Sequence, residues 1–179
     1  MDIESKNIEV YNQIALDFSN KRFSKWGWIN DFLLNFKKQS LILDIGCGNG
    51  RNMTFSDLNF IGIDNCSNFI KICKDKGLNV LETDMTKVPL LENTFDGIIS
   101  IASFHHLSTI ERRHYALIEM KRMLKINGKI LLSVWSINQH HNKKLNFTYG
   151  NNYIPWKNKD GSIKEQRYYY IFKLDELKD

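Results

Sequence analysis

Three alternating glycines, Gly46, Gly48 and Gly50, stand in the run Asp44-Ile45-Gly46-Cys47-Gly48-Asn49-Gly50. Glycine lets a chain turn sharply and bring bare backbone against a ligand. The run follows a short apolar stretch, Leu41-Ile42-Leu43-Asp44-Ile45, and precedes a segment that reads as helical. A buried strand feeding a glycine-rich turn is the context in which such a loop binds a nucleotide-like group. Two more acids follow. Asp64 closes the apolar run Phe60-Ile61-Gly62-Ile63-Asp64, 20 residues beyond Asp44. A carboxylate there can accept from both hydroxyls of a ribose. Asp84-Met85 comes after a weaker strand, Asn79-Val80-Leu81-Glu82. Asp84 can accept from the amino group of adenine, and Met85 can lie against the ring.

The spacing separates two cofactor classes. A dinucleotide fingerprint needs glycines at its first, third and sixth positions, with a pyrophosphate at a helix N-terminus. Here they occupy the first, third and fifth, and Asp44 precedes the first by two. A carboxylate so placed repels a pyrophosphate and suits a ligand with an ammonium and a sulfonium. The expected cofactor is therefore S-adenosylmethionine. Its expected contacts are Asp44, Gly46, Cys47, Gly48, Gly50, Asp64, Asp84, Met85 and, from the fourth strand, Ser100. Each of Asp64 and Asp84 alone also fits a plain helix cap.

The elements that must position these residues alternate. Helical spacing covers Ile8 to Phe18 and about Trp26 to Phe36. Strands follow at 41–45, 60–64, 79–82, Phe95–Ile101 and Gly128–Trp135, with helical patterns around Phe69–Cys73 and from Thr109 to Leu124. Asn127-Gly128 reads as the turn into the fifth strand. Alternation of this kind implies a parallel sheet with helices on both faces. The predicted fold class is α/β, a doubly wound Rossmann-like sheet in the order 3-2-1-4-5 with room for C-terminal strands. The predicted organisation is one domain: a helical segment over 1–38, a cofactor core over 41–135 and a substrate-side segment over 136–179. After Trp135 the pattern fades into Asn, Lys and Tyr.

Composition agrees with a globular chain: 179 residues, 42% hydrophobic, 12% aromatic and only two prolines. No apolar run is long enough to span a bilayer. The opening MDIESKNIEV lacks the basic-then-apolar pattern of a signal peptide, and the three cysteines are odd in number. The expected location is the cytoplasm, with the nucleus open, and no metal site is expected. The formal charge is +5. The basic residues lean C-terminal, from Lys121 and Arg122 through Lys143, Lys144, Lys157 and Lys164 to Arg167. A nucleic-acid partner and an ordinary solvated surface both accommodate that excess.

Residues 41 to 135 resemble the class I methyltransferases. The flanks narrow the resemblance. Tyr11-Asn12-Gln13-Ile14-Ala15, Phe18-Ser19, and Arg22 with Trp26 resemble the N-terminal signature of one eukaryotic family. Its members are tRNA methyltransferases that esterify 5-carboxymethyluridine at the wobble position. Ser103-Phe104-His105-His106-Leu107-Ser108, Glu111-Arg112-Arg113 and Val134-Trp135 with Gln139 match as well. So do Ile154-Pro155-Trp156 and Arg167-Tyr168-Tyr169 with Phe172. Lys21, Gly27, Asn138 and Tyr170 depart from the pattern, which touches fine substrate positioning. The family usually continues into two closing strands, whereas this chain stops soon after Glu176-Leu177. Either it is truncated or the domain ends early. The resemblance also implies a small zinc-binding activator subunit as partner. Leu58, Phe60, Val80, Leu81, Val88, Leu90 and Leu91 cluster around the second and third strands, where such a subunit can cover an apolar edge.

A carboxylate substrate is already ionised at neutral pH, so it can attack a methyl group without a general base. Arg22 and Arg167 are the candidate clamp for carboxylate or phosphate. His106 is expected to line the transfer pocket, and His105 to be packed core. Trp135 and Tyr169 are expected to stack on the base. Surface ion pairs for the arginines and plain core packing for Trp135 are the competing readings. Small-molecule or lipid methyl transfer, and cofactor binding without turnover, remain alternative functions.

Overall fold

The computed structural model describes residues 1–24, 26–138 and 147–177. Gln139, Lys143 and Lys144 lie outside the described residues. Five strands, β1 (Leu41–Ile45), β2 (Asn59–Asp64), β3 (Val80–Glu82), β4 (Phe95–Ile101) and β5 (Leu124–Ser133), form one parallel sheet in the order β3-β2-β1-β4-β5. The apolar runs of β1 and β4 are continuous because both faces of a parallel sheet are covered. Leu43, Ile45, Ile63 and Ile98 pack on Ala116, Met120 and Met123 of α4 (Ile110–Met123). Ile42, Ile99 and Ile101 pack on Ile29 and Leu33 of α2 (Ile29–Leu33). Thr109 caps α4 by accepting from the Arg112 amide, the favoured role of a hydroxyl at that position.

α1 (Ile3–Lys21) is longer than the sequence pattern marks, because Asp2 caps it by accepting from the Ser5 amide at 2.9 Å. Its Tyr11 and Phe18 rings meet Phe69 of α3 (Ser67–Asp75). Its Val10 and Ile14 pack on Trp156.

Four expectations need correction. The glycine loop is not followed by a helix: residues 46–58 run through successive turns. Gly46, Gly48 and Gly50 all adopt left-handed φ, at 71°, 54° and 74°, which prevents a helix from starting there. α2 covers only five residues rather than about eleven. The Asn35 amide there bonds the Asp31 and Phe32 carbonyls, competing with continued helix. β5 starts at Leu124, so the Asn127 turn, at φ 65°, is an irregularity within the strand where the β4 register jumps. The tail is not patternless. β6 (Gly150–Lys157) and β7 (Ile163–Ile171) form an antiparallel two-stranded sheet separate from the parallel one. Phe172 then ties it to the end of β5, its amide bonding the Trp135 carbonyl at 2.9 Å.

Candidate functional site

A groove opens at the carboxyl ends of β1, β2 and β4, where ligands bind in open α/β sheets. The glycine loop forms one wall. The far wall comes from α1, the turn Phe104–His106 and β7.

The half of the groove expected to take the cofactor is built from backbone and two acids. A Cβ on Gly46 would overlap the Ser103 side chain, so this turn admits only glycine. Gly48 has open space where a Cβ would stand, and its amide donates to Asp64 Oδ2 at 2.8 Å. Asp64 Oδ1 accepts from the Cys66 amide at 2.9 Å, which leaves lone pairs on both oxygens facing the groove. Burial raises Asp64 to about 6, partly offset by those backbone donors. Asp44 is buried behind the loop, and neither carboxylate oxygen has a partner. Burial, then the charge of Asp64, push it up to about 7, while Arg51 pulls it down. Two carboxylates this poorly compensated attract a cationic ligand. Cys47 lines the same wall, its thiol held protonated by its hydrogen bond with Cys73 and by burial.

Four expected cofactor contacts do not line the groove: Asp44, fully buried, and three others. A Cβ on Gly50 would overlap Leu78, so this glycine serves the packing of the loop on α3. Ser100 is fully buried and pairs its hydroxyl with Ser103 at 2.9 Å. Ser103 lines the groove instead. The oxygens of Asp84 are taken by the amide and hydroxyl of Thr86 and by Arg112, which also pairs with Glu4. Its neighbours Thr83 and Met85 do reach the groove.

The other half is aromatic and basic. Arg167 is 8% exposed, donates from Nη1 to the Tyr169 hydroxyl at 2.8 Å, and has a buried Nε without a partner. Its guanidinium also lies over Trp156. Among the described residues no carboxylate stands within ion-pairing distance of it. Tyr11 Oη is 3.2 Å from Tyr169 Oη and 3.0 Å from His106 Nε2. His106 Nδ1 must donate to the Tyr168 carbonyl, 2.8 Å away, because a carbonyl only accepts. Nε2 is then the acceptor, and donation runs from Arg167 through Tyr169 and Tyr11 to His106. Burial lowers His106 to about 4, so the ring is neutral at pH 7 with both nitrogens engaged. His105 is fully buried, stacks on Tyr169 and accepts the Trp135 amide at Nδ1, at 3.3 Å. Its Nε2 carries the proton and has no partner. Trp135 and Tyr169 lie 4.8 Å apart and line the groove together. Arg22 reaches the same groove from the end of α1, and its carbonyl accepts from Asn49 at 3.0 Å.

The sequence reading undervalued Tyr11, Arg51 and the lone His105 Nε2. Tyr11 was visible only as part of a motif, and Arg51 follows the last glycine of the loop. No local signal marks the His105 nitrogen, since its isolation arises from residues far apart in the chain.

Residues 43–132 match the family model described as "Methyltransferase domain". The chain is 34% identical to the tRNA (carboxymethyluridine(34)-5-O)-methyltransferase of Schizosaccharomyces pombe, across 100% of this chain and 89% of that protein. It is 39% identical to mouse tRNA (carboxymethyluridine(34)-5-O)-methyltransferase ALKBH8 over 84% of this chain. It spans only 23% of that protein's length. A Haloferax volcanii complex of the Trm112 methyltransferase activator with a methyltransferase shares the fold, with TM-score 0.53 and 17% identity. That alignment covers 66% of this chain and 55% of the other. With its parallel sheet, its match to that model and its likeness along the whole chain to the Schizosaccharomyces pombe enzyme, the chain belongs to the methyltransferase family, alongside the tRNA (carboxymethyluridine(34)-5-O)-methyltransferases.

Proposed function

We propose that this protein transfers a methyl group from S-adenosylmethionine to the carboxylate of 5-carboxymethyluridine at the tRNA wobble position. The observation that carries this reading is Arg167: a buried guanidinium with an unpartnered Nε and no carboxylate beside it, in the groove that holds the cofactor cradle. A buried charge is costly until a counter-charge joins it, and an anionic substrate group supplies one.

When bound, the cofactor supplies a methyl group on a positively charged sulfur. Asp64 is placed to take the ribose hydroxyls, and Asp44 to oppose the positive charge through the loop. Gly46, Cys47 and Gly48 give the approach, and Met85 a wall for the adenine. The Asp84 side chain acts on this wall indirectly, by fixing the turn through Thr86. Arg167 and Arg22 orient the substrate carboxylate, with the His105 N–H as a further donor. Trp135 and Tyr169 take the flat face of the base. Among the described residues of this half, His106, which lines the groove, is not free to accept a proton: it is neutral and engaged at both nitrogens. An ionised carboxylate needs no such acceptor. What remains for the protein is proximity and alignment, which can be worth several kcal/mol.

Incubation with labelled S-adenosylmethionine and total tRNA tests this. Arg167→Ala and Arg22→Ala are expected to lower transfer at least about tenfold, as loss of a charged hydrogen bond implies, with cofactor affinity unchanged. Both variants working at the wild-type rate would remove the clamp. Small carboxylates or phenols accepted far better than tRNA would move the enzyme to small-molecule chemistry.

The partner proposed with this function is a small zinc-binding activator on the β3 edge. Its support is the edge position of β3 and the likeness in fold to the Haloferax methyltransferase solved with Trm112. Leu58 and Val88 are buried, and Phe60, Val80, Leu81 and Leu90 partly so, which makes the apolar patch smaller than the sequence suggests.

A further inference from the structure

Beside the groove mouth the chain leaves three large aromatic rings in solvent. Phe23 is 77% exposed, Trp26 43% and Trp28 45%, and these two tryptophans are half of the four in the chain. Large apolar surface gathered at one place marks a binding face. The segment carrying them is anchored on the glycine loop. Asn49 holds the Arg22 carbonyl at 3.0 Å and the Ser19 hydroxyl at 3.2 Å. The buried Ile29 roots its other end. Trp26 and Trp28 lie 6.3 Å apart at 47°, with the Arg51 guanidinium 5.3 Å from the Trp26 ring centroid. Arg22 and Lys76 complete a basic rim, Lys76 being held on the Asn49 carbonyl at 2.7 Å. Among the described residues no carboxylate stands within ion-pairing distance of Arg22, Arg51 or Lys76. Asp44 is the negative charge that Arg51 senses.

We infer that Phe23, Trp26 and Trp28, with Arg51, form a stacking ledge for unpaired bases of the RNA loop that carries the target nucleotide. The inference rests on the tRNA reading above and extends its contacts from the groove, which Trp26 and Arg51 also line, to the exposed rings at its mouth. Exposed aromatic faces interleaved with unpaired cations are the chemistry of single-stranded nucleic-acid binding: rings take the bases and guanidinium groups take the phosphates. An apolar protein partner would match the rings but leave the basic rim without counter-charge. A nucleotide drawn into the groove must be unstacked, and its neighbours then need new surfaces to stack on.

The test uses an anticodon stem–loop RNA, with and without 5-carboxymethyluridine, on the full chain. Binding of the unmodified stem–loop is expected to change tryptophan fluorescence, and Trp28→Ala is expected to weaken that binding. Trp28→Ala and Phe23→Ala should each raise KM for the modified stem–loop at least about fivefold, within the range for losing one base stack. kcat and calorimetric cofactor affinity should hold, and Trp28→Phe should restore KM. Both replaced side chains are exposed, so thermal melting should match wild type. Wild-type protein that methylates the stem–loop with KM indifferent to both variants would overturn the ledge and leave the tRNA reading intact. If wild type binds the stem–loop at the ledge but does not methylate it, the ledge stands and the substrate reading fails. No fluorescence change with RNA, or one only with an added protein partner, would overturn the ledge outright.

Discussion

Asp44 and Asp64 are two carboxylates held behind and beside a glycine loop, raised to about 7 and about 6 chiefly by burial. Both values exceed the 3.8 of a free aspartate. The sign follows: their contribution to the empty fold is fully present below 3.8 and is lost as pH rises through 6 to 7. A cationic cofactor acts the other way, because it prefers both groups ionised. Cofactor affinity should therefore rise with pH, by about tenfold or more between roughly pH 5.5 and pH 8. Calorimetry across that interval is the check. Asp44→Asn should flatten most of the dependence, and Asp64→Ala should weaken binding at least about tenfold at pH 8. A flat profile in the wild type would mean that neither carboxylate faces the positive charge. These acids were legible in the sequence because each stands at or next to the end of an apolar run, and strand ends converge on one rim. Asp84 obeyed the same pattern, yet its oxygens were claimed by Thr86 and Arg112, partners that no spacing rule points to.

Helix α1 shows what elements contribute beyond the motif. Asn7, 5% exposed, fastens it to β7: its Oδ1 accepts the Tyr168 amide at 2.9 Å and its Nδ2 donates to the Tyr168 carbonyl at 3.4 Å. That carbonyl also takes the His106 N–H. One side chain thus sets the register between the helix carrying Tyr11 and the strand carrying Arg167 and Tyr169. Asn7→Ala should cost about 1–3 kcal/mol, since the buried Tyr168 amide loses its partner while the carbonyl keeps only His106. Urea unfolding should show a lower midpoint at unchanged slope, and methyl transfer should fall more than cofactor affinity. Equal stability would mean that the helix docks by its apolar face alone. The strands β1 and β4 could be read from the sequence because burial on both faces writes an uninterrupted apolar run. β6 and β7 could not. Their buried residues include Tyr168, Tyr169, Arg167 and Trp156, amphipathic side chains whose burial depends on partners in α1 and the Phe104–His106 turn. The helix expected after the glycine loop failed for a related reason: its spacing was acceptable, but three left-handed glycines settle the backbone first.

At the scale of the whole molecule, no described helix is long and apolar enough to cross a membrane. The parallel sheet ends in two edges. β5 presents Lys125 and Lys129 and an irregularity at Asn127, devices that discourage a further strand. β3 offers only three residues, Val80 and Leu81 half-buried and Glu82 exposed. So short a strand can give an incoming chain few main-chain bonds, and the affinity must come largely from apolar side chains around it. Co-expression with the zinc-binding activator, followed by size-exclusion chromatography, should therefore yield a one-to-one complex that is more soluble and more active than the chain alone. Ile126→Asp on the exposed β5 side should leave that complex whole. A soluble, fully active monomer, or a complex broken only from the β5 side, would remove the β3 edge as the partner's seat.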